Sequence, residues 1–350
     1  MPIFYTVQHG DTLPSIAKYF GLTLQSLALL NDIPYPYPVY VGQILLIQNK
    51  IYPSIIFDNI LDYTDVSREY TNTGKSYDEV HNRLDTKIIE KIIGKNGSLQ
   101  DNVLKFTFPR YDLNVNVEMI PLMPEFALTS WMAFHQVNDN CIVMGDIVLL
   151  ESEVAPVISQ VIANGIEITA LHNHLLYELP RIMYMHVSGT GTVVQLAQGI
   201  RNVLSVTGTP ITGQTSNEVL PMDYWNSVEA IMGKKGNQVG RVIQFSYSRS
   251  DMIIEFNRPI PPSMGISHAI NFQAEGEYAA VTGDFVLISD EVNPVIRTLK
   301  QYGISITAVH NHMLYEDPRL FFLHFWSVDN PDKLAYALKQ TLGQTNYIAG

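Results

Sequence analysis

The sequence predicts an α+β protein: a small βααβ domain followed by two tandem α+β repeats packed as a pseudo-twofold pair. Three observations carry that expectation. The first fifty residues run through a strand pattern, two amphipathic helix patterns and a closing strand pattern. Gly145–His186 aligns without a gap on Gly283–His324 at an offset of 138, with 23 identities in 42 positions. Each copy mixes runs of period two with helical runs of period 3.6.

Composition narrows the function classes. The chain has 350 residues, 46 % of them hydrophobic, which is too apolar for a disordered chain. Its net charge of −12 argues against a nucleic-acid partner, because neutralising phosphates needs clustered Lys and Arg. Cys141 is the single cysteine, so no intrachain disulfide and no Cys-based zinc site is expected. Apolar runs such as Ile142–Leu150 are short and carry Asp146, so no membrane span is expected. The start, Met1-Pro2-Ile3-Phe4-Tyr5, shows no export signal.

In the first domain, Phe4–Val7 reads as a strand and His9-Gly10-Asp11-Thr12 as a turn, with Asp11 or Thr12 able to cap a helix. Leu13, Ile16, Ala17 and Phe20 recur at helical spacing, and Gly21 ends that helix. A second helix begins at Thr23 and stops near Asn31; Val39–Ile47 reads as the closing strand. This order, with Tyr5–Leu13 at one end and Val41-Gly42-Gln43-Ile44-Leu45 at the other, resembles the LysM module. The resemblance implies binding of N-acetylglucosamine polymers such as peptidoglycan. It implies a groove built by Gly10, Asp11, Thr12, Leu13, Asn31 and Ile33, with Leu13 and Ile33 against the sugar. Pro34–Tyr40 departs from the family, which more often has a proline where Val41 stands.

Residues 51–83 read as a linker, 84–207 as the first repeat, 208–221 as a second linker and 222–350 as the second repeat. Glu90–Arg110 aligns on Glu229–Arg249 at an offset of 139, and Asp112 and Asp251 continue the match. In each copy a helix (about 84–94) precedes strands near 103–108 and 112–118, expected to pair as a hairpin, then strands near 128–136 and 141–150. Ser152 and Asp290 are the expected N-caps of the next helix, with Pro156 in its first turn. Val154, Val157, Ile158, Val161 and Ile162 make its apolar face, and Gly165 closes it. A strand (166–174), a loop, a strand (182–188) and a helix (about 192–205) complete the unit.

Six of the ten histidines form two matched sets: His172, His174 and His186, then His310, His312 and His324. Strand alternation puts His172 and His174 on one face, and pairing of the flanking strands brings His186 alongside. Three imidazoles with a nearby carboxylate suit Zn²⁺ or another divalent metal as cofactor. Glu178 and Glu316 are the candidates for a fourth ligand or a general base that activates metal-bound water. Arg181 and Arg319 are the candidates to clamp an anionic substrate group. The competing reading is that Asn173 and the two histidines pin a turn through backbone hydrogen bonds. Asp146 and Asp284 interrupt apolar strands, where a carboxylate is costly unless paired; a structural role is expected for them.

The motifs Thr169–His174, Glu178, Pro180-Arg181 and their counterparts through His324-Phe325-Trp326 resemble the LppY/LpqO-type domain of bacterial proteins. That resemblance implies one duplicated module and no established activity. Together the expectations describe a peptidoglycan-binding envelope or spore protein with a metal-dependent hydrolase or deacetylase module. The alternatives are a non-enzymatic spore-coat or wall assembly protein and a phage or injection-device tail component. Synthesis in the cytoplasm and association with the spore coat, cortex or cell wall are expected.

Overall fold

A computed structural model of the chain describes residues 3–20, 22, 24–31, 33, 38–48, 84–137, 140–212, 220–221, 223–255 and 258–349. The chain divides into two compact units, residues 1–70 and 71–350. The expected linker at 51–83 lies outside the described residues, as do residues 213–219 of the one expected at 208–221.

The first unit is a βααβ domain: β1 (Ile3–Thr6), α1 (Leu13–Tyr19), α2 (Leu24–Leu30) and β2 (Ile44–Gln48), with the strands antiparallel. Thr12 caps α1 and exchanges hydrogen bonds with Ser15, satisfying amides that the first turn leaves free. Leu13, Ile16, Ala17, Leu27 and Leu45 fill the core. The closing strand is shorter than Val39–Ile47. Gln43 N–H bonds Tyr40 O at 2.9 Å and Gly42 sits at φ +89°, a turn that delays the strand.

The second unit contains both repeats. The first runs α3 (Thr86–Ile93), β3 (Ser98–Gln100), β4 (Val103–Pro109), β5 (Asn116–Val117), β6 (Ile120–Pro121), α4 (Pro124–Ala127), β7 (Thr129–Val137), β8 (Asn140–Leu150), α5 (Glu151–Ala163), β9 (Glu167–His172), β10 (Glu178–Leu179), β11 (Ile182–Gly191) and α6 (Val193–Leu204). The second runs α7 (Asn226–Met232), β12 (Asn237–Val239), β13 (Val242–Ser248), β14 (Ile254–Glu255), β15 (Arg258–Pro259), a 3-10 turn (Pro262–Met264), β16 (Ser267–Glu275), β17 (Tyr278–Leu287), α8 (Ser289–Gln301), β18 (Ser305–His310), β19 (Phe321–Asp329) and α9 (Pro331–Leu342). Each copy forms a six-stranded antiparallel sheet. The orders β3-β4-β7-β8-β11-β9 and β12-β13-β16-β17-β19-β18 are the same.

Each sheet is buried on both faces, for two different reasons. Outward-facing Phe106, Phe134, Val143, Ile147 and Met185 pack with helix residues such as Ile89, Val161, Leu196 and Ile200. Inward-facing Ile142 and Met144 pack with Met264, Met313 and Phe322 of the other copy. Val148 and Tyr184 likewise share a cluster with Val242 and Ala280. The inner faces therefore meet across the pseudo-twofold axis, and the helices lie outside.

Several local expectations are corrected. The strand near 112–118 does not form a hairpin with β4; β4 lies between β3 and β7, and the two-residue β5 pairs with β6 and β10. The chain turns away because Arg110 is buried and committed elsewhere. Its guanidinium pairs with Asp112 and Glu153 and donates to Val148 O at 2.5 Å. Arg249 repeats this with Asp251, Glu291 and Val286 O.

Leu150 and Ile288, not Ser152 and Asp290, are the N-caps of α5 and α8. Glu153 and Glu291 accept their amides at 2.8 and 3.0 Å, so the capping carboxylate comes from inside the helix. Pro156 is the sixth residue of α5 rather than a first-turn residue. Ile162 is 68 % exposed and leaves the apolar face, whereas Val157 and Val161 are fully buried.

Candidate metal centre

The site begins with strand register. In the β8–β11 pair Asp146 stands opposite His186, and in β17–β19 Asp284 stands opposite His324. Residues directly opposite project from the same face of a sheet, here the inner one. On the far side of β11, β9 places His172 opposite Tyr184; β18 places His310 opposite Phe322. β9 and β18 end at those histidines, so His174 and His312 lie beyond the strands and not in alternation along them. They reach the same place by stacking: His174 on Tyr184 and His312 on Phe322, each with ring centroids 3.4 Å apart. The Thr307 hydroxyl donates to His174 O at 2.6 Å, tying the first copy's turn to the second copy.

The two histidine sets come together as one cluster. The closest ring contacts cross between copies: His172–His310 at 3.6 Å, His174–His324 at 3.8 Å and His186–His312 at 3.6 Å. The last two contacts are equivalent under exchange of the copies, as an isologous interface requires. Donor atoms of His172, His174 and His186 lie within 4.8 Å of one another, as do those of His172, His310, His312 and His324. His172 belongs to both groups.

These donor atoms are buried and unsatisfied. Among the described residues, Nε2 of all six histidines, Nδ1 of His172, and Oδ1 of Asp146 and of Asp284 have no hydrogen-bond partner. Buried polar atoms are nearly always paired, so this concentration at one point calls for a ligand. The carboxylates approach without bonding: Asp146 is 3.8 Å from His174 and 3.9 Å from His186, and Asp284 is 3.5 Å from His312 and 4.0 Å from His324. Donors around a tetrahedral ion at about 2.0–2.1 Å stand about 3.3–3.4 Å apart, so these separations are close to a ligand set. His324 Nδ1 donates to Gly283 O at 2.9 Å and His310 Nδ1 to Asn311 O at 3.2 Å, because a carbonyl can only accept. Both bonds leave Nε2 with a free lone pair, the arrangement that orients metal-binding imidazoles.

Burial sets the charge. It holds the His172 imidazole down to about 2 and that of His310 to about 4, and lowers His174, His186, His312 and His324 well below the ordinary value. It pushes the Asp146 carboxyl up to about 7 and that of Asp284 well above the usual range. The imidazoles are therefore neutral bases at neutral pH, the form that binds metals. A cation placed among them favours the ionised carboxylates.

Glu178, Glu316, Arg181 and Arg319 do not join this cluster. Glu178 accepts the Ile182 amide at 3.1 Å while Asn173 donates to Ile182 O at 2.7 Å. Glu316 and Asn311 do the same to Leu320, at 3.0 and 2.7 Å. Arg319 donates to Met313 O and Leu314 O within its own turn, and Arg181 is exposed. These residues shape the turn that carries His174 or His312, so the turn-pinning reading fits Asn173. The carboxylates beside the imidazoles are Asp146 and Asp284, for which a structural role was expected. The signal for them was the Gly-Asp pair kept in both apolar strands. Gly145 and Gly283 are needed because a Cβ would lie 2.6 Å from Trp131 O or 2.0 Å from Ala269 O.

In the βααβ domain the expected groove residues divide. Leu13 is fully buried and Ile33 nearly so; the expectation that both pack against a sugar is corrected, since they pack in the core. Asn31 bonds Leu27 O and both polar groups of the Leu46 backbone, tying α2 to β2. Asp11 accepts the Gln8 amide and the Tyr5 hydroxyl, Thr12 caps α1, and Gly10 turns the chain at φ +91°.

Residues 87–206 and 226–344 each match the family described as Domain of Unknown Function (DUF1259), which together is more than half of the chain. The chain belongs to the DUF1259 family. Residues 5–48 match the LysM domain, so a LysM domain precedes two DUF1259 copies. No curated protein matches the chain. Two solved structures share limited similarity with it. One is a double-ringed trimeric shell protein from the RMM microcompartment, with 10 % identity over 62 % of this chain and 87 % of that one, at a TM-score of 0.16. The other is the trimeric bacterial microcompartment shell protein PduB, with 11 % identity over 72 % and 96 % of the two chains, at a TM-score of 0.18. Neither likeness reaches a shared architecture for the DUF1259 pair. No described helix is long and apolar enough to cross a membrane.

Proposed function

We propose that this protein binds N-acetylglucosamine polymers through its LysM domain and holds divalent metal in one centre shared by its two DUF1259 copies. The observation that carries the metal reading is the convergence of six neutral imidazoles whose buried Nε2 atoms have no hydrogen-bond partner among the described residues. Asp146 and Asp284 supply negative charge beside them, and an all-nitrogen and oxygen donor set suits Zn²⁺ and its first-row neighbours. The glycan reading rests on the LysM match.

The test is metal analysis of the purified protein after equilibration with Zn²⁺ and other first-row ions, beside the His172→Ala and His310→Ala variants. Stoichiometric metal in the native protein and its loss in the variants is the expected result. Native protein without bound metal ends the reading. Retention on chitin and peptidoglycan, lost when residues 1–50 are removed, is the matching test for the LysM domain.

A second reading, hydrolysis or deacetylation of wall glycan, is favoured by one feature: carboxylates lie close enough to the imidazoles to take a proton from water held there. Release of acetate or reducing ends from peptidoglycan fragments, abolished by Asp146→Asn, is its assay.

A further inference from the structure

The two junctions between the copies are related by the pseudo-twofold axis, but they differ. At one, the second copy's sheet grips the first copy's Pro121–Ala127 segment. Gln244 donates to Glu125 O at 2.7 Å, Asn271 to Phe126 O at 2.9 Å, and Gln273 binds both Met123 N and Pro121 O at 2.8 Å. The counterparts of these three in the first copy are Lys105, Ala133 and His135. None of them bonds the second copy's Pro262–Met264 turn. The Ala133 side chain has no polar group, His135 bonds Asn102 O, and among the described residues no hydrogen bond or ion pair engages the Lys105 ammonium.

A cleft of about 340 Å³ opens at this second junction. Lys95, Ser98, Gln100, Lys105, Thr107 and Ser263 supply its polar lining. Trp131 fills the space beside it. Its ring lies where a Cβ on Gly265 would be 2.4 Å away, and Gly265 has φ +93°, so only glycine leaves room for the indole. The Lys105 ammonium sits 4.4 Å from the centre of that ring, which holds it over the indole face. Lys95 donates to Thr107 O at 2.6 Å and keeps further N–H groups for another partner.

The exchanges also change the charge. Where one junction has Gln244 and Glu125, the other has Lys105 and Ser263. The Ser263 hydroxyl is buried with no partner among the described residues. Two ammonium groups thus share a cleft lined with hydroxyls and amides, in a chain whose net charge is −12. Desolvation lowers the Lys105 amine to about 8, the cost of a cation without a counter-charge.

We propose that this cleft binds a small polyhydroxylated anion, a sugar bearing a phosphate or a carboxylate, with Lys105 and Lys95 on the anionic group and Ser263 on a hydroxyl. The cleft shares no side chain with the imidazole cluster, so the proposal stands or falls apart from the metal reading.

Calorimetric titration of the full chain with glucose 6-phosphate, glucuronate and glucose tests it. Saturable binding of one or both anions, at least 10-fold tighter than glucose, is expected, and the preferred anion identifies phosphate or carboxylate as the natural group. Lys105→Gln, which installs the second copy's own residue, should weaken binding at least 10-fold, while Lys105→Arg keeps it within a few-fold. If Lys105→Gln fails to fold, Ser263→Asp replaces it as the variant that abolishes binding. Absence of saturable anion binding, equal binding of glucose, or full binding by a folded Lys105→Gln or Ser263→Asp variant overturns the proposal.

Discussion

Asp146 stands directly opposite His186 on neighbouring strands, its Oδ1 3.9 Å from His186 Nε2, and Asp284 repeats the register with His324, its Oδ1 4.0 Å from His324 Nδ1. A buried carboxylate oxygen this close to an imidazole, with no hydrogen bond to it, is costly in the protein alone. It becomes favourable when a cation sits between the two. Asp146→Asn should therefore lower metal affinity about 10–100-fold. In chelator-treated protein the same change should leave the melting temperature unchanged or higher. Metal titration with and without chelator, followed by thermal melts, separates the two effects; a lower melting temperature in chelator would show that the carboxylate is structural.

His172 belongs to both groups of donor atoms, whereas His174 belongs to one. His172→Ala should remove more metal per chain than His174→Ala. Metal content measured after dialysis at fixed free metal gives the ratio. Equal losses would mean that the two groups act as a single ion site.

Gly283 faces the Ala269 carbonyl so closely that a Cβ would lie 2.0 Å from the oxygen. Gly283→Ala must push β16 and β17 apart, at a cost of about 1–3 kcal/mol. The shift also moves Asp284, so metal affinity should fall with stability. Denaturant melts and metal titration of the same sample check both.

His268 predicts how stability responds to acid. Its Nδ1 accepts the Val286 amide at 3.1 Å, so the ring proton sits on Nε2, facing Thr345 Oγ1 at 3.3 Å. Burial, with Arg249 beside it, lowers this imidazole from 6.5 to about 3. As pH falls through that window the unfolded chain takes up the proton first, so stability is lost between about pH 6.5 and 3. Ser130 fills the equivalent position and accepts the Val148 amide at 2.9 Å without titrating. His268→Ser should therefore lose less stability than the native protein between pH 7 and pH 4. Parallel slopes in denaturant melts across that range would refute the assignment.

Much of this was legible in the residues, and what was missed has common physical causes. The βααβ order, the duplication and the six histidines follow from periodicity and self-similarity, which are local and repeat along the chain. The hairpin expected after β4 failed because Arg110 is drawn into a long-range pairing with Glu153. The expected caps Ser152 and Asp290 failed because Glu153 and Glu291, one residue later in each helix, do the capping. Glu178 attracted attention by lying near the histidines in sequence, yet its carboxylate is committed to the Ile182 amide.

The amino-acid sequence alone determined that this chain has a LysM domain and two copies of one α+β unit, each with a matched set of three histidines and a Gly-Asp pair in an apolar strand. Only the tertiary structure decided that the two histidine sets form one cluster, with Asp146 and Asp284 as its carboxylates. The physical reason is that cross-strand register and the packing of the two inner faces set which side chains meet. Both are long-range: residues 138 positions apart, such as His172 and His310, stack only because equivalent faces of a duplicated fold bury each other.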